Sequence, residues 1–317
     1  MISASADRTT PDRHAPTTDD GAHTRGTPPW VRYVRRHPLA CFFVLAYVLS
    51  WSYWLPLAFT GQIVMPGSGN PTHFPGLLGP ALAALAITAV TQGRGGLRDL
   101  GRRMVRWRVG WRWYGAVAVP LGFFTIAITA NALAGNGWPH PADLARYSGL
   151  PSVGLLAVYL LALMVNGFGE ETGWRGFALP HLQRRYRPLN ASLLLAIGWA
   201  GWHLPLFFIV DSFRTFSVAT LPGFLIGLAC GAILLTYVYN GTGGSILIVA
   251  LWHIAYNMTT ATVAGKGMIA AVVSTLVILW AVVLVIGDLT ATRRGRPSPL
   301  RIRTPEPIRP GPGQSTR

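Results

Sequence analysis

Long blocks of apolar residues constrain the fold of this chain more than any other feature of its sequence. Each block runs for roughly 17 to 25 residues, which is long enough for a helix to cross a hydrocarbon core about 30 Å thick. Lipid offers the backbone no hydrogen-bond partners, so spans of this kind are expected to be helical. The blocks therefore predict an all-α integral membrane protein with about eight transmembrane helices. They lie at about 39–59, 74–91, 113–134, 153–169, 190–210, 218–239, 244–263 and 268–288.

Composition agrees with lipid as the surrounding solvent. Charged residues make up 12% of the chain and apolar residues 51%, and the mean hydropathy is +0.38. Soluble globular chains carry about 25% charged residues. The formal net charge of +16 is high enough to suggest nucleic-acid binding, so the distribution of the basic residues has to decide between the two interpretations.

The basic residues follow the order of the apolar blocks. If the N-terminus is cytoplasmic, only Arg146, Arg214 and Lys266 of the 27 lysines and arginines fall in outside loops. Cytoplasmic loops of membrane proteins carry an excess of Lys and Arg, and anionic headgroups attract them. The sequence therefore predicts a multi-pass protein of the cell membrane with both termini cytoplasmic and with lipids, not nucleic acid, as partners. Abundant Arg, Ala and Gly with little Lys indicate a bacterial source.

The two ends of the chain differ from its apolar part. Residues 1–29 contain almost no large apolar side chains, and residues from about 291 onward are rich in Arg and Pro. Segments that bury little apolar surface remain disordered. We predict a disordered N-terminal tail at 1–29, one transmembrane domain at 30–290 and a disordered basic C-terminal tail at 291–317. The first apolar block is predicted to be a span and not a cleavable signal peptide.

Acidic residues are rare, yet two of the three glutamates, Glu170 and Glu171, are adjacent at the end of the fourth block. Carboxylates at membrane depth are costly and are usually functional or paired. Arg175 follows Glu171 by one helical turn, so these two are predicted to pair on one face. Glu170 then points about 100° aside, free to face a cavity. The alternative is an interfacial ion cluster where the chain leaves the membrane.

Two histidines, His203 and His253, fall within apolar blocks, and Asn257 follows His253 by one turn. A single histidine in a membrane helix more often donates or accepts a hydrogen bond between helices than binds a metal. Two histidines and an asparagine on separate spans, in a chain with one glutamate pair, favour a functional site instead.

These residue types suit hydrolysis of an amide, which needs a water, a base and donors for the developing oxyanion. Glu170 can be the base, because withdrawal from water brings a carboxylate closer to the proton affinity that a base needs at neutral pH. His203 could orient the same water, while His253 and Asn257 could donate to the oxyanion. Alternatively, Glu170, His203 and His253 could hold a divalent metal such as zinc with an open position. The sequence leaves both mechanisms open.

At these residues the chain resembles the CAAX protease and bacteriocin-processing family, the bacterial relatives of the type II CAAX prenyl endopeptidases. That family has three motifs on different helices: Glu-Glu-x-x-x-Arg, aromatic-x-x-x-His, and His-x-x-x-Asn/Asp. The chain departs from the usual pattern at the aromatic position of the second motif, where Trp replaces the common Phe. The three motifs are matched here by Glu170-Glu171-Thr172-Gly173-Trp174-Arg175, by Trp199 to His203, and by His253 to Asn257.

The resemblance implies an intramembrane endopeptidase of the metallo- or glutamic type that acts on a peptide or protein substrate, lipidated in some relatives. It implies Glu170 as the water-activating base, with Glu171 and Arg175 as supports. His203 is implied as a second water or metal contact, and His253 with Asn257 as oxyanion or metal contacts. Bacterial members of the family are linked with bacteriocin maturation or immunity.

Two other functions stay open on the sequence. A proton-coupled carrier of small solutes could use Glu170 and the histidines as a relay, although no inverted repeat is evident. A non-catalytic immunity protein could use the same fold to hold a peptide, although such a protein would be expected to have lost some of these polar groups.

Overall fold

The computed structural model describes Gly26 and residues 28–302, which are mostly helical. Within this range no β-strand forms, and only isolated bridges connect the loops. The all-α membrane fold predicted from the apolar blocks is confirmed. The helices are α1 (Pro29–Arg36), α2 (Pro38–Phe59), α3 (Phe74–Leu77), α4 (Gly79–Met104), α5 (Trp111–Asn131), α6 (Leu155–Ala162), α7 (Phe168–Gly173), α8 (Leu179–Gln183), α9 (Pro188–Trp202), α10 (Leu206–Ile209), α11 (Asp211–Arg214), α12 (Leu221–Gly241), α13 (Ile246–Thr260) and α14 (Met268–Arg293).

Six helical stretches of the described chain are long and apolar enough to cross a membrane: Pro38–Phe59, Phe74–Met104, Trp111–Asn136, Leu155–Gln183, Leu221–Gly241 and Met268–Arg293. The fifth and seventh predicted spans are shorter helices, α9 and α13, of 15 residues each. The fifth is interrupted because a turn at residues 203–205 separates α9 from α10, and Pro205 cannot extend a helix across that point. The number of eight spans and the cytoplasmic side of both termini stay predictions.

The fourth span is longer than its apolar block. The apolar block predicts an end near residue 169, but the helical path runs from Leu155 to Gln183. Two π-helical turns, Leu163–Gly167 and Trp174–Ala178, flank α7 within it. Glu170 and Glu171 therefore lie in the middle of this helix and not at its end. The sequence did not predict that the helix continues through these polar residues, because a hydropathy pattern cannot distinguish a buried polar segment from the point where a chain leaves the membrane.

Helix α7 packs closely against the N-terminal part of α4 and against α13. Glycine makes this approach possible: a Cβ built on Gly173 would lie 2.6 Å from the carbonyl oxygen of Pro80. Real Cβ atoms essentially never come that close. Gly173 thus lets the glutamate-bearing segment sit directly on the backbone of α4.

The described end of the chain is more ordered than its composition suggests. Helix α14 continues to Arg293, and Leu300 beyond it is fully buried. The carbonyl of Leu300 accepts a hydrogen bond of 2.7 Å from Nδ2 of Asn240 on α12. Helix α14 therefore continues past residue 291, and the buried Leu300 side chain together with its hydrogen bond to Asn240 holds the segment beyond it; the domain boundaries themselves stay predictions. Residues 303–317 of the predicted C-terminal tail, and residues 1–25 and 27 of the N-terminal one, lie outside the described residues.

Candidate active site

The glutamate pair of α7 is buried in the protein. Glu171 and Arg175 are both fully buried, and Glu170 is 3% exposed. Arg175 Nη1 donates to Glu171 Oε1 at 2.9 Å, one helical turn away, as the spacing predicts. Complete burial argues against an interfacial ion cluster, whose members would be solvated where the chain leaves the membrane.

The third motif meets the first at the same carboxylate. His253 Nδ1 on α13 donates to Glu171 Oε1 at 2.7 Å. The Glu171 oxygen thus receives one donor from its own helical segment and one from α13, while its other oxygen, Oε2, has no protein partner. Glu171 orients His253 and compensates the charge of Arg175.

Glu170 faces away from that pair, as its position on the helix predicts. Its Oε2 accepts a 2.8 Å hydrogen bond from Nε1 of Trp199 on α9. Its Oε1 accepts a 3.3 Å hydrogen bond from Nδ2 of Asn166, one turn earlier on the same helical path. The carboxylate is held by two neutral donors and makes no ion pair with any other residue that the structure describes. This arrangement leaves its remaining lone pairs available to a water.

Trp199 organises the second motif. The guanidinium of Arg175 lies 4.4 Å from the centre of its ring, a distance typical of a cation–π contact. The Trp199 carbonyl accepts from Nδ1 of His203 at 2.7 Å. The ring of Trp199 also contacts His253 edge-on, with centroids 5.8 Å apart. The indole therefore touches all three motifs.

Both imidazoles have a defined tautomer. A carbonyl and a carboxylate accept hydrogen bonds and do not donate them, so Nδ1 carries the proton in His203 and in His253. In the neutral rings Nε2 then has a free lone pair. Each ring can accept a hydrogen bond from a water or a substrate N–H at that nitrogen.

Asn257 joins the site through a residue that the sequence analysis missed. Its Nδ2 donates to Oδ1 of Asn166 at 2.7 Å, and Asn166 in turn donates to Glu170. A signal for Asn166 was present: it is a polar residue four positions before Glu170 in an apolar run. All six predicted residues, Glu170, Glu171, Arg175, His203, His253 and Asn257, thus belong to one cluster that Asn166 and Trp199 complete.

The loops that precede α3 and α6 add two further buried polar side chains, His73 and Tyr147. His73 is 6% exposed, and burial together with the nearby charge of His203 lowers the pKa of His73 to about 4. Tyr147 is 2% exposed; burial raises its pKa, and its hydroxyl lies beside the side chain of Asn257. Sequence reasoning passed over both because they lie outside the apolar blocks.

The donor set of this cluster bears on metal binding. Free Nε2 lone pairs on two histidines suit a metal. Within the described part of the chain, however, no three side chains of His, Cys, Asp or Glu come together in a group that could hold a metal ion. Glu170, His203 and His253 do not form such a group in this arrangement, and a metal at this site stays a prediction.

Comparisons with known proteins give matches to part of the chain. Residues 152–259 match the family model described as "Type II CAAX prenyl endopeptidase Rce1-like". A protein named CAAX prenyl protease 2 from Methanococcus maripaludis is 32% identical over 111 residues, which is 34% of this chain and 41% of that protein. The chain thus spans about two-fifths of the length of this relative. The matched range contains all six predicted site residues, Asn166 and Trp199, whereas His73 and Tyr147 precede it.

Proposed function

We propose that this chain, a relative of the type II CAAX prenyl endopeptidases, is a peptidase that hydrolyses a peptide bond within the membrane. Glu170 is the base that activates the attacking water. One observation carries the proposal: the Glu170 carboxylate is buried, is held by the Trp199 and Asn166 donors, and lies in one cluster with two imidazoles. Burying a carboxylate at membrane depth costs free energy, and such residues are therefore usually functional.

In this mechanism a water donates its proton to Glu170 and forms a C–O bond with the carbonyl carbon of the substrate. The negative charge moves to the carbonyl oxygen, where an N–H of Asn257 stabilises it. Collapse of the tetrahedral intermediate breaks the C–N bond, and the proton held by Glu170 passes to the leaving nitrogen. The products are a carboxyl group and an amine.

The two histidines act as hydrogen-bond acceptors, since Nδ1 of each ring is committed as a donor. A water has two O–H groups: one is directed at Glu170, and Nε2 of His203 accepts the other, which aims the lone pair of the water at the substrate. Nε2 of His253 is then available to accept from a substrate N–H, and this assignment favours an accepting role for His253 over the oxyanion contact considered from sequence. Glu171 and Arg175 contact no reacting atom and act by holding His253 and Trp199 in position.

The substrate is proposed to be a peptide or protein that reaches the site at the membrane. The name of the archaeal relative refers to a CAAX prenyl protease, which makes a prenylated C-terminal peptide the first candidate. An unprenylated peptide, as in processing of a bacteriocin precursor, is the second. We further propose that the protein resides in the cell membrane of a bacterium.

The test uses protein purified in detergent and a panel of fluorogenic peptides, prenylated and unprenylated. Wild type should cleave at least one peptide, and Glu170→Gln should lower kcat by about 10²- to 10⁴-fold, since it removes a general base. The matched control is Asp143→Asn, which alters a partly exposed ion pair with Arg146 in an outside loop and should keep wild-type activity. A chelator arm tests the metal: activity that survives chelation supports the glutamate mechanism.

Three outcomes would argue against the proposal. Cleavage retained in Glu170→Gln would remove Glu170 from the mechanism, and loss of activity with chelator that added zinc restores would favour a metal-held water. Absence of cleavage by folded wild type would favour the carrier or the immunity protein. Solute flux in liposomes that Glu170→Gln abolishes would identify the carrier.

A further inference from the structure

Asn166 occupies an unusual place in the fourth span. It lies in the π-helical turn Leu163–Gly167, directly before the α-helical segment that carries the glutamates. Single π-turns within α-helices occur frequently at functional sites, because the wider turn changes the direction of side chains. Asn166 is 6% exposed, so its amide has to find its partners within the protein.

The hydrogen bonds of Asn166 determine the orientation of its amide. The Glu170 carboxylate accepts hydrogen bonds when ionised, so Asn166 has to present its NH₂ group to it. The Asn166 oxygen then points to Asn257 and accepts from Nδ2 of that residue at 2.7 Å. The Glu170 carboxylate thus orients the Asn166 amide, and the Asn166 oxygen in turn orients the NH₂ group of Asn257.

This direction matters for Asn257. An NH₂ group has two hydrogens, and Asn166 takes one of them. The other hydrogen remains for the oxyanion in the proposed mechanism. If the Asn257 amide were reversed, an oxygen would face the developing negative charge and would repel it. Tyr147, in the loop before α6, places its hydroxyl beside Asn257 and belongs to the same group of side chains.

We propose that Asn166 is a positioning residue that couples the base to the oxyanion donor: it holds the Glu170 carboxylate and orients the Asn257 amide. This inference rests on the proposed peptidase function. It assigns a role to a residue outside the three motifs and gives the π-turn a purpose, since the turn carries the side chain that bridges α7 and α13. Asn166 acts through its two neighbours and touches no reacting atom.

The experiment compares Asn166→Ala, Asn257→Ala and the double variant with wild type, by kcat and KM on a peptide that wild type cleaves. Asn166→Ala should lower kcat by about 10- to 100-fold, the effect expected of a small misplacement of reacting groups, and should change KM less than about threefold. Because Asn166 works in part through Asn257, the double variant should lose less than the product of the two single losses.

Ser192→Ala is the control for the purely structural effect of losing a buried hydrogen bond. Ser192 is a buried polar residue on α9 whose hydroxyl donates to Thr236 on α12 at 2.8 Å. It lies two helical turns before Trp199, and among the described residues its hydrogen-bond partners, Pro188 and Thr236, are outside the three motifs. This variant should keep kcat near the wild-type value while showing a comparable shift in thermal stability. The inference is overturned if Asn166→Ala keeps wild-type kcat, if the losses of the two single variants multiply, or if Ser192→Ala loses as much activity. Failure of wild type to cleave any peptide would instead overturn the peptidase function and this inference with it.

Discussion

His253 Nδ1 donates to Glu171 Oε1 over 2.7 Å and thereby joins α13 to the glutamate-bearing segment inside the protein. The same oxygen accepts from Arg175 at 2.9 Å. One buried oxygen thus connects the first and third motifs, and its removal should have consequences both for stability and for activity.

Glu171→Ala is expected to destabilise the protein by about 3–5 kcal/mol, because it leaves the fully buried Arg175 without a compensating charge. Equilibrium unfolding in mixed detergent micelles would measure this. Asp143→Ala is the matched control, since it breaks an ion pair of similar spacing with Arg146 that is partly solvated; its effect should stay below about 1 kcal/mol. Equal effects of the two variants would contradict the central role of the Glu171 oxygen.

Trp199→Phe is expected to keep the fold while lowering kcat/KM by about 10-fold. Phenylalanine retains an aromatic face for Arg175 but lacks the N–H that donates to Glu170 at 2.8 Å, and a hydrogen bond to a charged group contributes about 1.5–3 kcal/mol. Steady-state kinetics with thermal unfolding as a companion measurement would test this. A variant as active as wild type would mean that the indole N–H contributes nothing to the base.

Gly173→Ala is expected to cost about 1–3 kcal/mol of stability, as overpacking does. The new methyl would meet the backbone of Pro80 at 2.6 Å, and α7 would have to move away from α4 together with both glutamates. Activity should therefore fall as well. Gly122→Ala in α5 is the control, because nothing lies within 4 Å of a Cβ at that position; that variant should unfold at or above the wild-type temperature.

Loop labelling would decide the membrane orientation. In a background with Cys41 and Cys230 replaced by serine, a cysteine at Ala142 should react with an impermeant maleimide added outside intact cells. A cysteine at Arg108 should react only after the membrane is opened. Both positions are exposed in the structure, so a missing reaction reports the side of the membrane and not burial. The reverse pattern would contradict the orientation derived from the distribution of basic residues.

Helix content and most members of the candidate site could be predicted from sequence because each depends on a local pattern. Apolar blocks long enough to span lipid require helices whatever their neighbours are. Glu171 and Arg175 pair because a four-residue spacing places them on one face. The length of the fourth span could not be predicted in this way. By hydropathy, Glu170 and Glu171 mark the end of an apolar block, and only the tertiary structure shows that they are buried.

What the sequence determined by itself was therefore the class of fold and the set of candidate site side chains, because hydropathy and helical spacing act within single segments. Only the tertiary structure decided how those side chains are connected. Trp199 and Tyr147 enter the site through contacts between helices and loops that are distant in the chain, as does the hydrogen bond from Asn257 to Asn166, and no local pattern encodes such contacts. The direction of each amide and imidazole follows from the same contacts, since a donor is oriented by the acceptor that packing brings next to it.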